Sequence, residues 1–378
     1  MRVAILGADG YLGWPTAMHL ADIGHKVYAV DCYIKREWEV RVGISPLVTP
    51  PRMDKRVDSW NNLHPDKPIQ GLIIDIARER KCVYHLFDVW KPDVVIHYAE
   101  QPSAPYSMIG AKQCIETQQN NINGTLNVVM AALHYNEDCH IIKLGTMGEY
   151  GTPNIDIEEG WLDIEHNDRK DRVLYPKRPG SWYHLSKVHD SHNLEFASRT
   201  FGLQVTDLNQ GVVYGTLGHL DPDLITSFHY DAIFGTVLNR FIAQAAVKEP
   251  LTVYGKGGQT RGFLNIEDTL KCVTLALDNP PGKGAFRVMN QFTEQFSVQE
   301  LAEKVQSVTG CDIVHIPNPR VEKESHYYNA KHTSLPDLGL TPIPLSDNTL
   351  QDMFQYVYRR RLHIDKNKLK PDVKWDAR

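Results

Sequence analysis

The sequence predicts an α/β chain: a doubly wound parallel sheet followed by a smaller C-terminal substrate domain. Three observations point there. The chain opens on an apolar run, Val3–Leu6, with glycines at 7, 10 and 13 directly behind it. Strand-length apolar runs then alternate with helix-length stretches to about residue 215, the pattern of successive βα units. Tyr183 and Lys187 stand four residues apart within Ser181–Lys187, one helical turn on one face.

The 378 residues suffice for two domains or one large one. A net charge of −5 without a polybasic run argues against nucleic acid or a membrane surface as partner. No apolar run is long enough to span a bilayer. Six cysteines without a C-x-x-C suggest reduced thiols in a cytoplasmic compartment. The chain runs from Met1 straight into its first strand, so no signal or transit peptide is expected.

In order, Val3–Leu6 is the first strand, a helix follows to about Ile23, Gly24 stops it, and Val27–Val30 ends at Asp31. This is a Rossmann-like dinucleotide-binding βαβ unit with spacing G-x-x-G-x-x-G, whose glycines admit a pyrophosphate to the helix N-terminus. Asp31 is expected on the adenosine ribose, where it repels a 2′-phosphate and selects NAD over NADP; Lys35 and Arg36 lie close by. Residues 43–70 read as a loop-rich excursion. Leu72–Ile74 is a strand ending at Asp75 and Ile76, with Asp75 on the adenine amine or capping a helix. Asp93–His97 is the next strand, with Tyr98, Glu100 and Gln101 at its carboxyl end, where ligands of such sheets bind. A long helix covers Gln113–His134, and its polar Asn120–Thr125 suggests cofactor contact or surface exposure.

His140–Leu144 leads into Thr146. A hydroxyl there and Tyr183 on the next helix bracket a reacting carbon, with the Lys187 ammonium favouring the phenolate. A second Tyr-x-x-x-Lys, Tyr327/Lys331, lacks that context. His184, His189 and His192 are off the spacing that converging metal ligands need, so no metal is expected. Gln204–Leu208 is a strand, Val237–Val247 a helix and Leu251–Tyr254 a strand. The turn Gly255–Gln259 then precedes Arg261, which suits a phosphate or a hairpin with a solvated arginine. Phe286–Asn290, a helix Ser297–Val308, a strand Ile313–Ile316 and a helix around Leu350–Arg361 complete the chain. Residues 1–215 and 251–290 are assigned to the nucleotide domain, and 216–250 and 291–378 to the sugar domain.

These features resemble the extended short-chain dehydrogenases that act on nucleotide sugars. Longer strings narrow the resemblance: residues 100–109, LGTMGEYGTPNIDIEEG from Leu144, YHLSKVHDSHN from Tyr183, TDLNQGVVYG from Thr206, YGKGGQTRG from Tyr254, NQFTEQFS from Asn290 and YYNAKHT from Tyr327. They are similar to the UDP-sulfoquinovose synthase family. The resemblance implies UDP-glucose and sulfite as substrates, tightly held and recycled NAD, and a homodimer or higher homo-oligomer. Epimerisation at C4 and 4,6-dehydration are the alternatives on the same fold. The implied catalytic residues are Thr146, Tyr183, Lys187 and His184. The cofactor is expected against Gly7, Gly10, Tyr11, Leu12, Gly13, Asp31, Arg36, Asp75, Ile76, Tyr98, Lys187 and Gln210. The substrate is expected against Gln101, Ser103, Thr146, Tyr183, Asn209, Gln259, Arg261, Arg320 and Tyr328. Two departures matter. Related dehydratases carry an Asp-Glu pair after the threonine, where this chain has Met147 and Gly148, which makes His184 the candidate acid. Plant-type members carry Arg at the position of Pro102, so the positive charge for sulfite must come from elsewhere.

Overall fold

The computed structural model describes residues 1–218, 220–322, 326–371 and 373–375. Strand β1 (Arg2–Leu6), helix α1 (Gly13–Asp22) and strand β2 (Lys26–Asp31) form the opening unit. Helix α2 is Ile34–Arg41 and α3 is Met53–Leu63. The excursion at 43–70 is therefore not all loop. Its helix buries Met53, Val57 and Trp60 beside the first core, a short apolar stripe that the surrounding prolines obscure. Strand β3 begins earlier than expected, at Ile69–Ile73.

Helix α4 (Arg80–Trp90), strand β4 (Val94–His97), the short helix α5 (Ala104–Ser107) and the long α6 (Ala111–Tyr135) follow. Then come strand β5 (His140–Thr146), a hairpin of β6 (Trp161–His166) and β7 (Arg169–Leu174), helix α7 (Trp182–Phe201) and strand β8 (Gln204–Gln210). The hairpin went unread because its strands are mostly charged and exposed, with no alternation to betray them. Helix α7 starts at Ser181, whose hydroxyl accepts from the His184 amide, and stops at Gly202 with φ +86°, a conformation that glycine adopts without a Cβ penalty.

Further on are β9 (Val212–Tyr214), α8 (Val237–Ala246), β10 (Leu251–Tyr254), β11 (Thr260–Asn265), α9 (Ile266–Asp278) and β12 (Phe286–Gln291). The last elements are β13 (Glu294–Ser297), α10 (Val298–Thr309), β14 (Ile313–Ile316), α11 (Ser334–Asp337) and α12 (Asp347–Tyr358).

The main sheet has seven parallel strands in the order β12-β8-β5-β4-β1-β2-β3. The order reverses between β1 and β4, and in such sheets the ligand crevice opens outside the carboxyl ends at that point. One correction to the expected domains follows. Leu251–Tyr254 does not return to the nucleotide sheet but pairs in parallel with Ile313–Ile316. Leu251 and Val253 belong to a second core with α8, α10 and α12. The return comes later, with α9 contributing Cys272 and Val273 to the first core and β12 closing the sheet edge. All six cysteines are free thiols, and no helix among the described residues is long and apolar enough to cross a membrane.

Candidate active site

A cavity of about 610 Å³ opens at the strand ends around this reversal. Gly7, Gly10, Tyr11, Leu12, Gly13, Asp31, Arg36, Asp75, Ile76, Tyr98 and Gln210 all line it. Gly7 has φ +85°, and a Cβ there would lie 2.7 Å from the Ala99 nitrogen; one on Gly13 would lie 2.1 Å from the Gly7 carbonyl oxygen. Only bare backbone fits this turn, and that leaves the room a pyrophosphate needs at the start of α1. The Asp31 carboxylate accepts from the Asp9 amide at 2.9 Å and the Tyr33 amide at 2.7 Å. Burial and the nearby Asp9 push it up to about 6.

Arg36 lines the cavity, yet its guanidinium is committed to the protein. It forks onto Asp9 at 2.7 and 2.8 Å and donates to the Pro50 and Pro51 carbonyls. Arg56, from the unforeseen helix α3, is fully buried; it reaches the same carboxylate at 2.6 Å and lies 4.7 Å over the Trp14 ring. The excursion thus clamps the glycine turn from outside, a role sequence reading missed because Arg56 stands far from the motif. Asp75 accepts from the Ala77 and Arg78 amides, so it caps its turn while still bordering the cavity.

Thr146 and Tyr183 line the same cavity. The Thr146 Oγ1 accepts from the Gly148 amide at 3.1 Å, which leaves its hydroxyl hydrogen to donate. Tyr183 sits in the first turn of α7, its amide donating to Ser107 Oγ at 3.0 Å. One turn on, Lys187 does not line the cavity. Its ammonium lies 2.5 Å from Glu100 Oε1 and donates to the Leu144 carbonyl at 2.5 Å. Burial first, then Glu100 and Glu149, push the Tyr183 phenol above its ordinary value. The phenolate expected from Lys187 is therefore not favoured here: burial is the main cause, and Glu100, which meets the Lys187 ammonium, adds to it.

The His184 ring lies 5.0 Å from the Tyr183 ring and over Gly148, where a Cβ would come within 2.3 Å of its Nε2. Its Nδ1 is 3.0 Å from Ser181 Oγ. Burial, then Arg320 and Arg261, push it down to about 3. The expected near-neutral titration is therefore not found: the ring is a neutral imidazole here. Glu149 cannot stand in for the missing acidic pair. Burial opposes its charge, but Lys143 and Lys177 outweigh that and hold it near 2, at 3.0 and 2.5 Å.

The expected substrate residues divide. Ser103 borders the cavity but caps α5, its hydroxyl donating to the Ile233 carbonyl. Gln101 and Asn209 are corrections, since both are fully buried outside the cavity lining. The Gln101 amide donates to Asn121 Oδ1 at 2.7 Å, and Asn209 donates to the Tyr150 hydroxyl at 2.9 Å. Asn121 in turn donates to Ser186 Oγ at 2.8 Å, so the polar stretch of α6 ties the β4 loop to the helix of Lys187, and Asn120 alone of that pair borders the cavity. Gln259 folds onto its own turn, donating to the Tyr254 carbonyl at 3.3 Å. Arg261 lies 2.7 Å from Glu322, Tyr328 accepts from the Gly262 amide at 3.2 Å, and Arg320 lies 5.2 Å over Trp375. These four are outside the cavity lining as well. The rival Tyr327 and Lys331 are exposed and pair with Asp156 at 2.5 Å and Glu158 at 3.6 Å, which leaves Tyr183, with Lys187 one turn behind it, as the tyrosine at the cavity. Sequence reading placed Glu100 at the carboxyl end of β4 without foreseeing its contact with Lys187.

A glycine turn at the switch point and a Thr-Tyr-Lys set at its mouth define a dinucleotide-dependent short-chain dehydrogenase fold. The model of the NAD dependent epimerase/dehydratase family matches residues 3–290, and the chain belongs to that family. Within it the chain belongs with the UDP-sulfoquinovose synthases. It is 48% identical to the chloroplastic enzyme of Spinacia oleracea, over 99% of this chain and 79% of that one. It is 41% identical to the Sulfolobus acidocaldarius enzyme, over 99% and 98%. The UDP-glucose 4-epimerase of Thermotoga maritima, solved with UDP-glucose, superposes with a TM-score of 0.69 at 20% identity, covering 96% of this chain and 100% of the epimerase; at that identity it shows the fold alone.

Proposed function

We propose that this chain converts UDP-glucose and sulfite into UDP-6-sulfoquinovose and water. The observation that carries the reading is an intact Thr146, Tyr183 and Lys187 set beside Met147 and Gly148, where a dehydratase holds its acidic pair. The full-length likeness to UDP-sulfoquinovose synthases supports it. NAD, which Gly7, Gly10, Gly13 and Asp31 would hold, would supply a hydride acceptor for C4 and a donor at the end, with no net redox change.

Thr146 donates to the C4 oxygen, and Tyr183 takes the C4 hydroxyl proton as the hydride leaves. The ketone acidifies the C5 hydrogen; its loss expels the C6 hydroxyl as water and leaves an alkene conjugated to the ketone. Sulfite sulfur adds at C6, C5 regains a proton, and Tyr183 returns its proton as the hydride comes back to C4. We assign protonation of the departing hydroxyl to His184. It is neutral through burial first and then through Arg320 and Arg261; the negative diphosphate of UDP opposes the arginines' part when it binds, which favours the ring's taking up the proton that it delivers. Pro102 borders the cavity and brings no charge; Arg261 and Arg320, whose charges bear on His184, are the cations we assign to holding the anions. Exposed Ile115 and Met130 on α6 with Trp182, Phe196 and Phe201 on α7 support a homo-oligomer through that face.

The test is the product mass from purified protein incubated with UDP-glucose, with and without sulfite. A sulfite-dependent gain of sulfonate with loss of one water is expected. An unchanged mass would indicate epimerisation, and loss of water alone whatever the sulfite a dehydratase; either result overturns the reading.

A further inference from the structure

Glu100 stands out among the buried ionisable groups. Its side chain is 2% exposed, it borders the cavity with Tyr183, and its Oε1 lies 2.5 Å from the Lys187 ammonium. Among the described residues no other hydrogen-bond donor reaches either carboxylate oxygen. A surface ion pair so made would be idle, but this one sits where the charge of Lys187 bears on the acid/base tyrosine. In a buried setting an uncompensated ammonium and a neutralised one differ greatly in their effect on a phenol.

We propose that Glu100 is a positioning residue of the Tyr183–Lys187 pair: ionised, it neutralises the Lys187 ammonium and keeps the Tyr183 phenol protonated; protonated, it releases that charge and the tyrosine becomes a base. The inference rests on Tyr183 taking the C4 hydroxyl proton and is independent of the sulfite chemistry. Glu100, Glu149 and Asp190 bear on Tyr183 as negative groups and Lys143 as a positive one, with Lys187 on the same helix face. Of these, Glu149 is held by Lys143 and Lys177, and Lys143 also by Asp207. Asp190 is pushed well up by burial and then by Glu100. His97 is fully buried and pushed down to about 3 by burial and then the two lysines, hence neutral. Glu100 is the carboxylate left to set the balance at Lys187. Burial raises it above its ordinary value against the pull of Lys187.

The experiment follows the tyrosine directly. The tyrosinate absorbance that Tyr183→Phe removes is titrated in the holoenzyme, and reduced-nicotinamide absorbance on adding UDP-glucose without sulfite is recorded across the same pH range. Glu100→Gln is expected to lower both midpoints by about one pH unit or more, with Glu100→Asp close to the parent. Should Glu100→Gln not fold, the comparison is made in Lys187→Met, where no ammonium is left for the carboxylate to neutralise; there Glu100→Gln is expected to leave the tyrosinate midpoint in place. An unchanged midpoint for Glu100→Gln with Lys187 present, or a midpoint that still falls on adding Glu100→Gln to Lys187→Met, overturns the proposal whatever happens to the rate. Hydride transfer that persists in Tyr183→Phe overturns instead the assignment of Tyr183, a separate result.

Discussion

Lys143 gives the sharpest test of what holds the catalytic loop. It is fully buried under Thr146, and its ammonium contacts Glu149 at 3.0 Å, Asp207 at 3.2 Å, Ser191 Oγ at 2.8 Å and the Lys187 carbonyl at 3.2 Å. Lys143→Met keeps the length of the stem but leaves two buried carboxylates short of a cation. Removing one member of such a set costs about 3–5 kcal/mol. Holding Glu149 near 2, below its ordinary 4.5, is worth about 3 kcal/mol at neutral pH, a total that Lys143 shares with Lys177 and Ser191. With about 2.1 cal/mol/K of unfolding entropy per residue over 378 residues, Tm should fall by about 4–6 °C. The pH dependence is fixed in sign. Because the folded value of Glu149 is depressed, its contribution is complete above about 4.5 and lost as pH falls through about 2. The gap between parent and variant should therefore be full at pH 7 and narrow on acidification below about 4.5. Scanning calorimetry across that range checks it. A variant melting within a degree of the parent at neutral pH, or a gap that widens in acid, would refute the reasoning.

Gly13→Ala should purify with little NAD, measured in the denatured extract, because its Cβ would meet the Gly7 carbonyl oxygen at 2.1 Å. Arg261→Ala should weaken UDP binding by about tenfold, the worth of one charge-assisted hydrogen bond, in a calorimetric titration; adding Glu322→Gln separates lost phosphate contact from a carboxylate left without its 2.7 Å partner. His184→Ala should still form the 4-keto sugar and reduced nicotinamide yet retain the C6 oxygen, seen by product mass; sulfonated product at the parent rate would sink the assignment. Tyr327→Phe should leave turnover unchanged, since its hydroxyl meets only Asp156 and Asn329 among the described side chains at an exposed site.

The sequence alone determined the nucleotide half. A glycine turn, an acid closing the second strand and a Tyr-x-x-x-Lys four apart are local facts, because backbone clearance and helical repeat are set within a few residues. Hence Gly7, Gly13, Asp31, Thr146 and Tyr183 all stand on the cavity as expected. Tertiary structure decided what each side chain faces. Gln101 and Glu100 are neighbours in the chain, yet one is buried against Asn121 and the other meets Lys187 at the cavity. Arg56 reaches Asp9 across forty-odd residues of chain. Leu251–Tyr254 joined the second core through its pairing with Ile313–Ile316. Charge state was likewise out of reach, for it depends on burial and on partners distant in the chain: His184 is neutral because it is buried and lies near Arg320 and Arg261, and the Tyr183 phenol is pushed up by burial and then by Glu100 and Glu149.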